Sequence, residues 1–464
     1  MSRFQHVRPA LLVVTAVLTG VLGGFVFASP RSDGWVFNAS LDDTAGWLTA
    51  QATATSVGAF VVVLSYALWS WFSSTSPRPL WVVITITAIL VTFVKVTVPD
   101  AASVDVLTFL HILKCCAAGV LVGTAAYAVR RSRPGWVALA GGVSGGYLLS
   151  ATQGVVDGLS NQYAPSFPYS SSVFGEAAWW LLVAVVVTAV ACTVEPPQSQ
   201  DAPPGPDRSV ALRMVMYAAI VAVVGRVVAA VIVRRIPDGG YGLWVVAAVC
   251  VAAFVVTVDV VSKRWDHHDA RLPLAAVAVT ASSVSVWSSL RAAQQLPQFI
   301  PFFGGIGALV LAAALAWRVR RRTMPWLGLG LLAASPLVSA LVRSEVESVA
   351  AVVLTGFGAT LLIGSLTIPA DAGNGDDSVR ALAVAIPGMA GVFATAAMLP
   401  SNTELVGASL AELFDDSTSI LGYTRDTFST ADRFGEWLMF AVVAYCALRI
   451  AMSRPKPAPM PEAL

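Results

Sequence analysis

Few charged side chains in this sequence lie inside apolar stretches, and Lys114 is the most informative of them. It falls about nine residues into an apolar segment at 105–129. A lysine at that depth in a bilayer is costly and usually faces a cavity or a partner. His111 precedes it by three residues and shares its helical face. We expect the two to face a central polar cavity and to bind an anionic group or relay a proton. The alternative is a structural lysine paired with a carboxylate or carbonyl of a neighbouring helix.

Arg226 and Asp157 are the other candidates for a substrate or proton site. Arg226 lies in an apolar segment within eight residues of Arg234 and Arg235. It either acts in the site, extends outward to the interface, or holds a neighbouring helix. Asp157 follows a glycine-rich segment. Among the acidic residues at the outward ends of predicted helices, it is our candidate for a proton site. Lys95, one turn from a predicted helix end, is expected to extend to the interface.

The remaining titratable groups have simpler interpretations. Glu176 and Glu436 each fall in the first turn of a predicted helix, where the helix dipole favours a carboxylate. Asp259 precedes Lys263 by four residues, a spacing that predicts an ion pair along one helix. His267 and His268 are adjacent in a polar loop, but two histidines without a third fixed ligand are weak evidence for a metal site.

Asp42 and Asp43 suggest a different class of protein. Membrane glycosyltransferases that use lipid-phosphate sugars carry paired acidic residues in their first outside loop, as base and metal site. The corresponding loop here is about 20 residues, short for a catalytic platform. We found no catalytic triad, phosphate-binding loop or nucleotide-binding fingerprint.

The composition identifies the elements that must position these residues. Of 464 residues, 56% are apolar and only 12% are charged, and the mean hydropathy is +0.74. A soluble domain carries about 25% charged residues. The chain has too little charge to cover a surface in water, so its solvent is a lipid bilayer. No basic patch interleaves with aromatic residues, and we expect no nucleic-acid partner.

Apolar segments of spanning length predict an all-α membrane protein with fourteen transmembrane helices. Their ranges are 10–29, 49–73, 79–98, 105–129, 134–154, 174–194, 210–233, 241–262, 272–291, 299–318, 324–342, 347–368, 379–399 and 434–452. With the N-terminus inside, inward-facing loops and helix ends hold nineteen Lys and Arg, and outward loops hold seven. This bias predicts that both termini are cytoplasmic.

The phrase Phe-Gly-Glu occurs twice and indicates an internal repeat. It opens the sixth predicted helix at 174–176 and the fourteenth at 434–436, each time after a long polar loop. We therefore predict a six-helix half at 1–194, a Pro-rich cytoplasmic linker at 195–209, a two-helix insert at 210–271 and a second six-helix half at 272–464. Repeats of this kind are typical of transporters, with the substrate site between the halves.

This layout resembles the fourteen-helix, drug:proton antiporter branch of the major facilitator superfamily. The stretch 43–60 is similar to that family's second-helix start, Lys114 with Gly119 approximates its basic fourth-helix motif, and 141–146 (GGVSGG) resembles its glycine motif without the proline. The glycine- and arginine-rich loop motif is reduced to Arg78.

The resemblance implies a secondary transporter that moves a small or amphipathic molecule by alternating access. We expect it in the plasma membrane, with a small-molecule substrate, possible proton coupling and no cofactor or metal. Two alternatives stay open at this stage. One is a non-transporting membrane subunit of a cell-envelope complex, and the other is the glycosyltransferase suggested by Asp42 and Asp43.

Overall fold

The structure is a bundle of helices. The computed structural model describes residues 7–28, 41–72, 78–98, 103–130, 132–151, 176–194, 208–235, 240–264, 271–292, 299–318, 324–342, 345–366, 377–397 and 431–452. The helices in these ranges are α1 (Val7–Ala28), α2 (Leu41–Phe72), α3 (Arg78–Thr97), α4 (Val104–Val129), α5 (Arg133–Ala151), α6 (Trp179–Val194), α7 (Arg208–Arg235), α8 (Gly240–Ser262), α9 (Arg271–Ala292), α10 (Phe299–Arg318), α11 (Met324–Leu341), α12 (Glu345–Leu366), α13 (Asp377–Met389), α14 (Gly391–Ala397) and α15 (Ala431–Met452).

The described helices have the length and composition of membrane spans. Nine of them are long and apolar enough to cross a bilayer, and four shorter apolar helices accompany them in the described ranges. Their outer faces are apolar: on α7, Leu212, Met216, Val223 and Val227 are all at least half exposed. The predicted class, a polytopic α-helical membrane protein, is confirmed, while the count of fourteen spans stays a prediction.

Glycines set the closest helix contacts. A Cβ added to Gly20 or Gly24 of α1 would overlap the backbone of α5, and one added to Gly142 or Gly146 of α5 would overlap that of α1. Both pairs have the four-residue spacing that lets membrane helices approach closely. Two glycines of the antiporter-like motif, Gly142 and Gly146, therefore serve packing. Gly141 has no described atom within 4 Å of an added Cβ.

The same packing partners recur in two sets of helices. In the first set, α1 packs against α4, α5 and α6, α2 against α4, and α3 against α4 and α6. In the second, α9 packs against α12, α13 and α15, α10 against α12, and α11 against α12 and α15. Each pair in the second set matches one in the first when α9–α13 and α15 take the places of α1–α6.

Helices α7 and α8 lie beside these sets. Helix α7 packs along α2, α13 and α14, and α8 packs along α7, α9 and α14. Gly225 brings α7 so close to α13 that an added Cβ would overlap the carbonyl oxygen of Met389.

Three predicted helices differ from the structure. Helix α6 begins at Trp179 and not at 174, so Glu176 precedes the helix and does not lie in its first turn. Helix α2 begins at Leu41 and not near 49, so Asp42 and Asp43 lie in its first turn, where helix N-termini favour carboxylates, and not in a loop. The predicted helix at 379–399 is two helices separated at Ala390. The Ala390 N–H donates to the carbonyl of Pro387, three residues earlier, in a tighter turn than an α-helix makes.

Candidate functional site

Lys114 forms a buried ion pair that joins two helices. Its Nζ lies 2.9 Å from Oε1 of Glu176, and the two side chains are 1% and 4% exposed. Ser103 caps α4 by accepting from the Val106 N–H, which fixes the helix start and places Lys114 three turns in. Glu176 stands just before α6, so the pair ties α4 to the start of α6.

The Lys114–Glu176 pair matches one interpretation offered from the sequence, that of a structural lysine paired with a carboxylate. A buried lysine without a partner is costly, and a carboxylate or carbonyl of a neighbouring helix was one of the alternatives that the sequence left open. Glu176 had been assigned only to the dipole of its own helix, and its contact with α4 was missed. Neither Lys114 nor His111 lines the cavity described below. Their functional role stays a prediction.

His111 extends this polar cluster by one helical turn. It is buried, and its Nε2 lies 3.9 Å from the Cys115 sulfur. A histidine, a lysine and a glutamate thus lie within one enclosed region of α4 and the start of α6. Groups of these types can exchange protons within the membrane.

Lys95 is buried next to the same segment and does not reach the interface as expected. Its ammonium donates to the carbonyl oxygen of Ala177 and lies 4.8 Å from the ring centroid of Trp179. Only 7% of the residue is exposed. The expectation of an outward-extending lysine was wrong, because the non-helical backbone before α6 offers an unused carbonyl within reach.

Arg226 forms a hydrogen bond to a neighbouring helix. Its Nε donates to the hydroxyl of Thr53 on α2 at 2.7 Å. This bond links α7 to α2 and matches one of the three interpretations offered from the sequence, though a role in the site is untested. Asp157, His267 and His268 lie outside the described residues, and the side chains of Asp42 and Asp43 do as well.

Asp259 forms a second charged cluster at the other end of the bundle. The predicted pair with Lys263 is present at 3.0 Å. Arg449 of α15 also donates from Nε to Oδ1 at 3.0 Å, and the Tyr445 hydroxyl donates to Oδ2 at 3.2 Å. The sequence could not show these contacts between α8 and α15, since nearly 200 residues separate them.

A cavity opens between α5 on one side and α9 and α13 on the other. A second space continues from it toward α10 and α12 and shares Ser144, Tyr147, Val279 and Ser283 with it. The larger cavity is lined mainly by apolar side chains, with Trp136, Tyr147 and Arg380 as its largest polar members.

No motif in the sequence pointed to this site. Arg380 had been counted only as one of the inward positive charges, and Trp136 and Tyr147 carried no motif. The available signal was the predicted repeat, since a site between two halves must be lined by their facing helices. Among the described residues, no cluster of His, Cys, Asp or Glu could hold a metal ion.

A hydroxyl network lies beside the second space. The Thr355 hydroxyl of α12 lies 2.7 Å from that of Ser282 on α9 and donates to that of Ser335 on α11 at 2.9 Å. These hydrogen bonds join three helices. They fix the relative orientation of the helices, which apolar packing alone does not specify. They fix the wall of the cavity on the α9 side.

Comparisons with known proteins identify the fold. No protein-family model and no curated protein sequence matches the chain. Solved structures match nearly end to end. The POT family transporter PepTSo is 12% identical, with 96% of this chain and 98% of that chain covered and a TM-score of 0.53.

Two further structures extend this likeness. A bacterial homologue of the human drug peptide transporters PepT1 and PepT2 is 14% identical, with coverage of 96% and 97% and a TM-score of 0.52. The proton:xylose symporter XylE, a major facilitator superfamily protein of E. coli, is 12% identical, with coverage of 96% and 95% and a TM-score of 0.50. The chain therefore has the fold of a major facilitator transporter.

Proposed function

We propose that this protein is a secondary transporter that moves a small or amphipathic molecule across the membrane by alternating access. The observation that carries the proposal is the cavity between α5 and the helices α9 and α13. In a transporter built from repeats, the substrate site lies between the two halves. The likeness to solved transporters supports the same function through the fold.

The repeat is part of the proposal. We take α1–α6 as one half and α9–α15 as the other, with α7 and α8 as an insert, as in the fourteen-helix branch of the superfamily. The matching packing partners of the two sets support this division. Glu176 and Glu436 are both buried near the start of the last helix of their set, but Glu176 precedes α6 and Glu436 lies in the second turn of α15.

The position of the cavity implies a conformation that is open toward the cytoplasm. With both termini in the cytoplasm, α5, α9 and α13 all run outward from their N-terminal ends. Trp136, Leu272 and Arg380 line the cavity near those ends. The cavity then opens toward the cytoplasm, and the second space reaches the middle of the membrane.

The Lys114–Glu176 pair is our candidate for coupling to protons. Protonation of Glu176 would remove the charge that holds Lys114 and would free α4 from the start of α6. Such a change of contact between helices of one half is the kind of event that can bias a two-state bundle. The pair lies outside the cavity, so coupling would act through helix movement and not by contact with substrate.

Thiol labelling from the two sides of the membrane tests alternating access without knowledge of the substrate. In a background with the five native cysteines replaced, Ser144→Cys places a thiol in the cavity. We expect a charged maleimide to modify it rapidly in inverted vesicles and more slowly, yet measurably, in intact cells. Val256→Cys, on the exposed apolar face of α8, is the control and should react from neither side.

The same experiment addresses the alternatives. Reaction of Ser144→Cys from the cytoplasmic side alone would contradict alternating access and favour a non-transporting subunit. The glycosyltransferase alternative is not favoured by the fold, and Asp42 and Asp43 begin a helix and not a catalytic loop.

A further inference from the structure

Three helices meet where the two proposed halves touch beside the cavity. Helix α2 of the first set packs along α13 of the second, and a Cβ added to Gly388 of α13 would lie 2.8 Å from the Ala59 Cβ of α2. The neighbouring residue, Pro387, is the last residue of α13 that lines the cavity. The contact between α2 and α13 therefore lies directly beyond the cavity, on the side away from Arg380.

Helix α7 contacts both sides of this junction with two adjacent residues. Arg226 donates from Nε to the Thr53 hydroxyl of α2 at 2.7 Å. Gly225 lies against α13, where an added Cβ would overlap the carbonyl oxygen of Met389. Successive residues of a helix point about 100° apart, so a single turn of α7 reaches two helices of different halves.

The break between α13 and α14 lies at the same junction. Helix α13 ends at Met389, and α14 begins at Gly391. Phe254 of α8 packs edge-on against Phe393 of α14, with ring centroids 5.5 Å apart, and both side chains are fully buried. The insert of α7 and α8 therefore holds α14 and the end of α13, whereas the part of α13 before the break lines the cavity.

The insert covers only one of two equivalent contacts between the halves. When the two sets of helices are matched, α5 and α10 correspond to α13 and α2. Apolar packing closes the contact between α5 and α10, since a Cβ added to Gly305 would overlap the Leu148 side chain. Among the described helices, neither α7 nor α8 packs along α5 or α10. The insert is thus placed to act on the contact between α2 and α13.

We propose that α7 is a latch between the halves, which holds α2 to α13 through the contacts of Arg226 with Thr53 and of Gly225 with Met389. This inference rests on the proposed transport function and adds a device that sets the balance between its two states. Opening of the cavity to the outside requires α2 and α13 to separate beyond Pro387, so α7 must release one of them. We expect it to release Thr53, because α8 ties the insert to α9 and α14 of the second half.

Labelling of Ser144→Cys from the two sides of the membrane, with the native cysteines replaced, measures the latch as a ratio of rate constants. The outside rate divided by the inside rate follows the population of the outward-open state. Thr53→Val keeps the shape of the side chain and removes the hydroxyl. A hydrogen bond between membrane helices typically changes an equilibrium about threefold, and we expect the ratio to rise by about that factor. Thr53→Ser retains the hydroxyl and should keep the wild-type ratio.

Further variants assign the effect to the bond between α7 and α2. Arg226→Met should raise the ratio at least as far as Thr53→Val does. The double variant should match Arg226→Met alone, because the bond to Thr53 is already lost. The matched control is Thr257→Val, since the Thr257 hydroxyl donates to a carbonyl of its own helix on an exposed part of α8. This control should keep the wild-type ratio.

A pair of glycines tests the packing side of the latch. Gly225→Ala adds a methyl group between α7 and α13 and should also raise the ratio. Gly242→Ala makes the same change on α8, where no described atom lies within 4 Å of an added Cβ. The ratio should not change in that control.

The outcomes separate the latch from the transport function. An unchanged or lowered ratio in Thr53→Val and Arg226→Met proteins that react from both sides would overturn the latch and leave alternating access in place. Reaction from the outside in these variants, but not in the parent protein, would support a latch that closes the outer side completely. Reaction from the cytoplasmic side alone in all of them would overturn both proposals.

Discussion

The Nζ of Lys114 lies 2.9 Å from Oε1 of Glu176, and both side chains are almost fully enclosed. The contact connects the middle of α4 to the backbone just before α6. Lys95 of α3 binds the next residue of that backbone, at the carbonyl of Ala177. Two buried lysines on adjacent helices therefore hold one short segment in place.

Removal of one partner should destabilise the protein more than removal of both. Breaking a buried pair typically costs about 3–5 kcal/mol, because the remaining charge is left in an apolar environment. We expect Lys114→Met to lower the unfolding temperature clearly and the double variant Lys114→Met/Glu176→Gln to recover much of the loss. Thermal unfolding of the purified protein measures both. A single variant as stable as wild type would contradict a structural role for the pair.

Two adjacent glycines of α5 should respond differently to the same substitution. Gly142→Ala would push a methyl group into the Val17 carbonyl, and overpacking of this kind costs about 1–3 kcal/mol. Gly141→Ala adds the methyl group where no described atom is near, so its effect should be neutral or slightly stabilising. Parallel unfolding measurements on the two variants check this. Equal losses would mean that α1 and α5 are not in close backbone contact.

The partners of Asp259 should differ in their contribution to stability. Arg449 is 23% exposed and bridges two helices, whereas Lys263 is 56% exposed and lies on the same helix. Exposed pairs of the second kind contribute about 0.3–0.5 kcal/mol. We expect Arg449→Gln to lower the unfolding temperature and Lys263→Gln to leave it nearly unchanged. The opposite order would indicate that α15 does not depend on this contact.

Both termini should be cytoplasmic, because that topology places nineteen Lys and Arg on the inner side and seven on the outer side. A reporter enzyme that folds only outside the cytoplasm, fused after residue 464, should be inactive. The same reporter fused after Arg235, in an outward loop, should be active and serves as the control. Activity at residue 464 would reverse the assigned direction of the cavity.

The sequence predicted the helices well because each of them is a local property. A bilayer requires about 20 apolar residues per span, and such segments are visible without any tertiary information. The Asp259–Lys263 pair was predictable for the same reason, since the helix itself sets a spacing of four residues. The break at Ala390 was missed, and no proline marks it, since Pro387 lies inside α13 just as Pro336 lies inside α11.

The site was less predictable, because its residues come from distant segments. The sequence identified Lys114 as a buried charge in need of a partner, but the choice of Glu176 depends on how α4 meets α6. Likewise Trp136 and Arg380 are 244 residues apart and line one cavity only because the fold places α5 and α13 on opposite sides of it. Hydrophobicity and charge along the chain determined the membrane class and the helices. Side-chain packing between helices alone decided which polar groups meet, because that choice depends on contacts that no local pattern encodes.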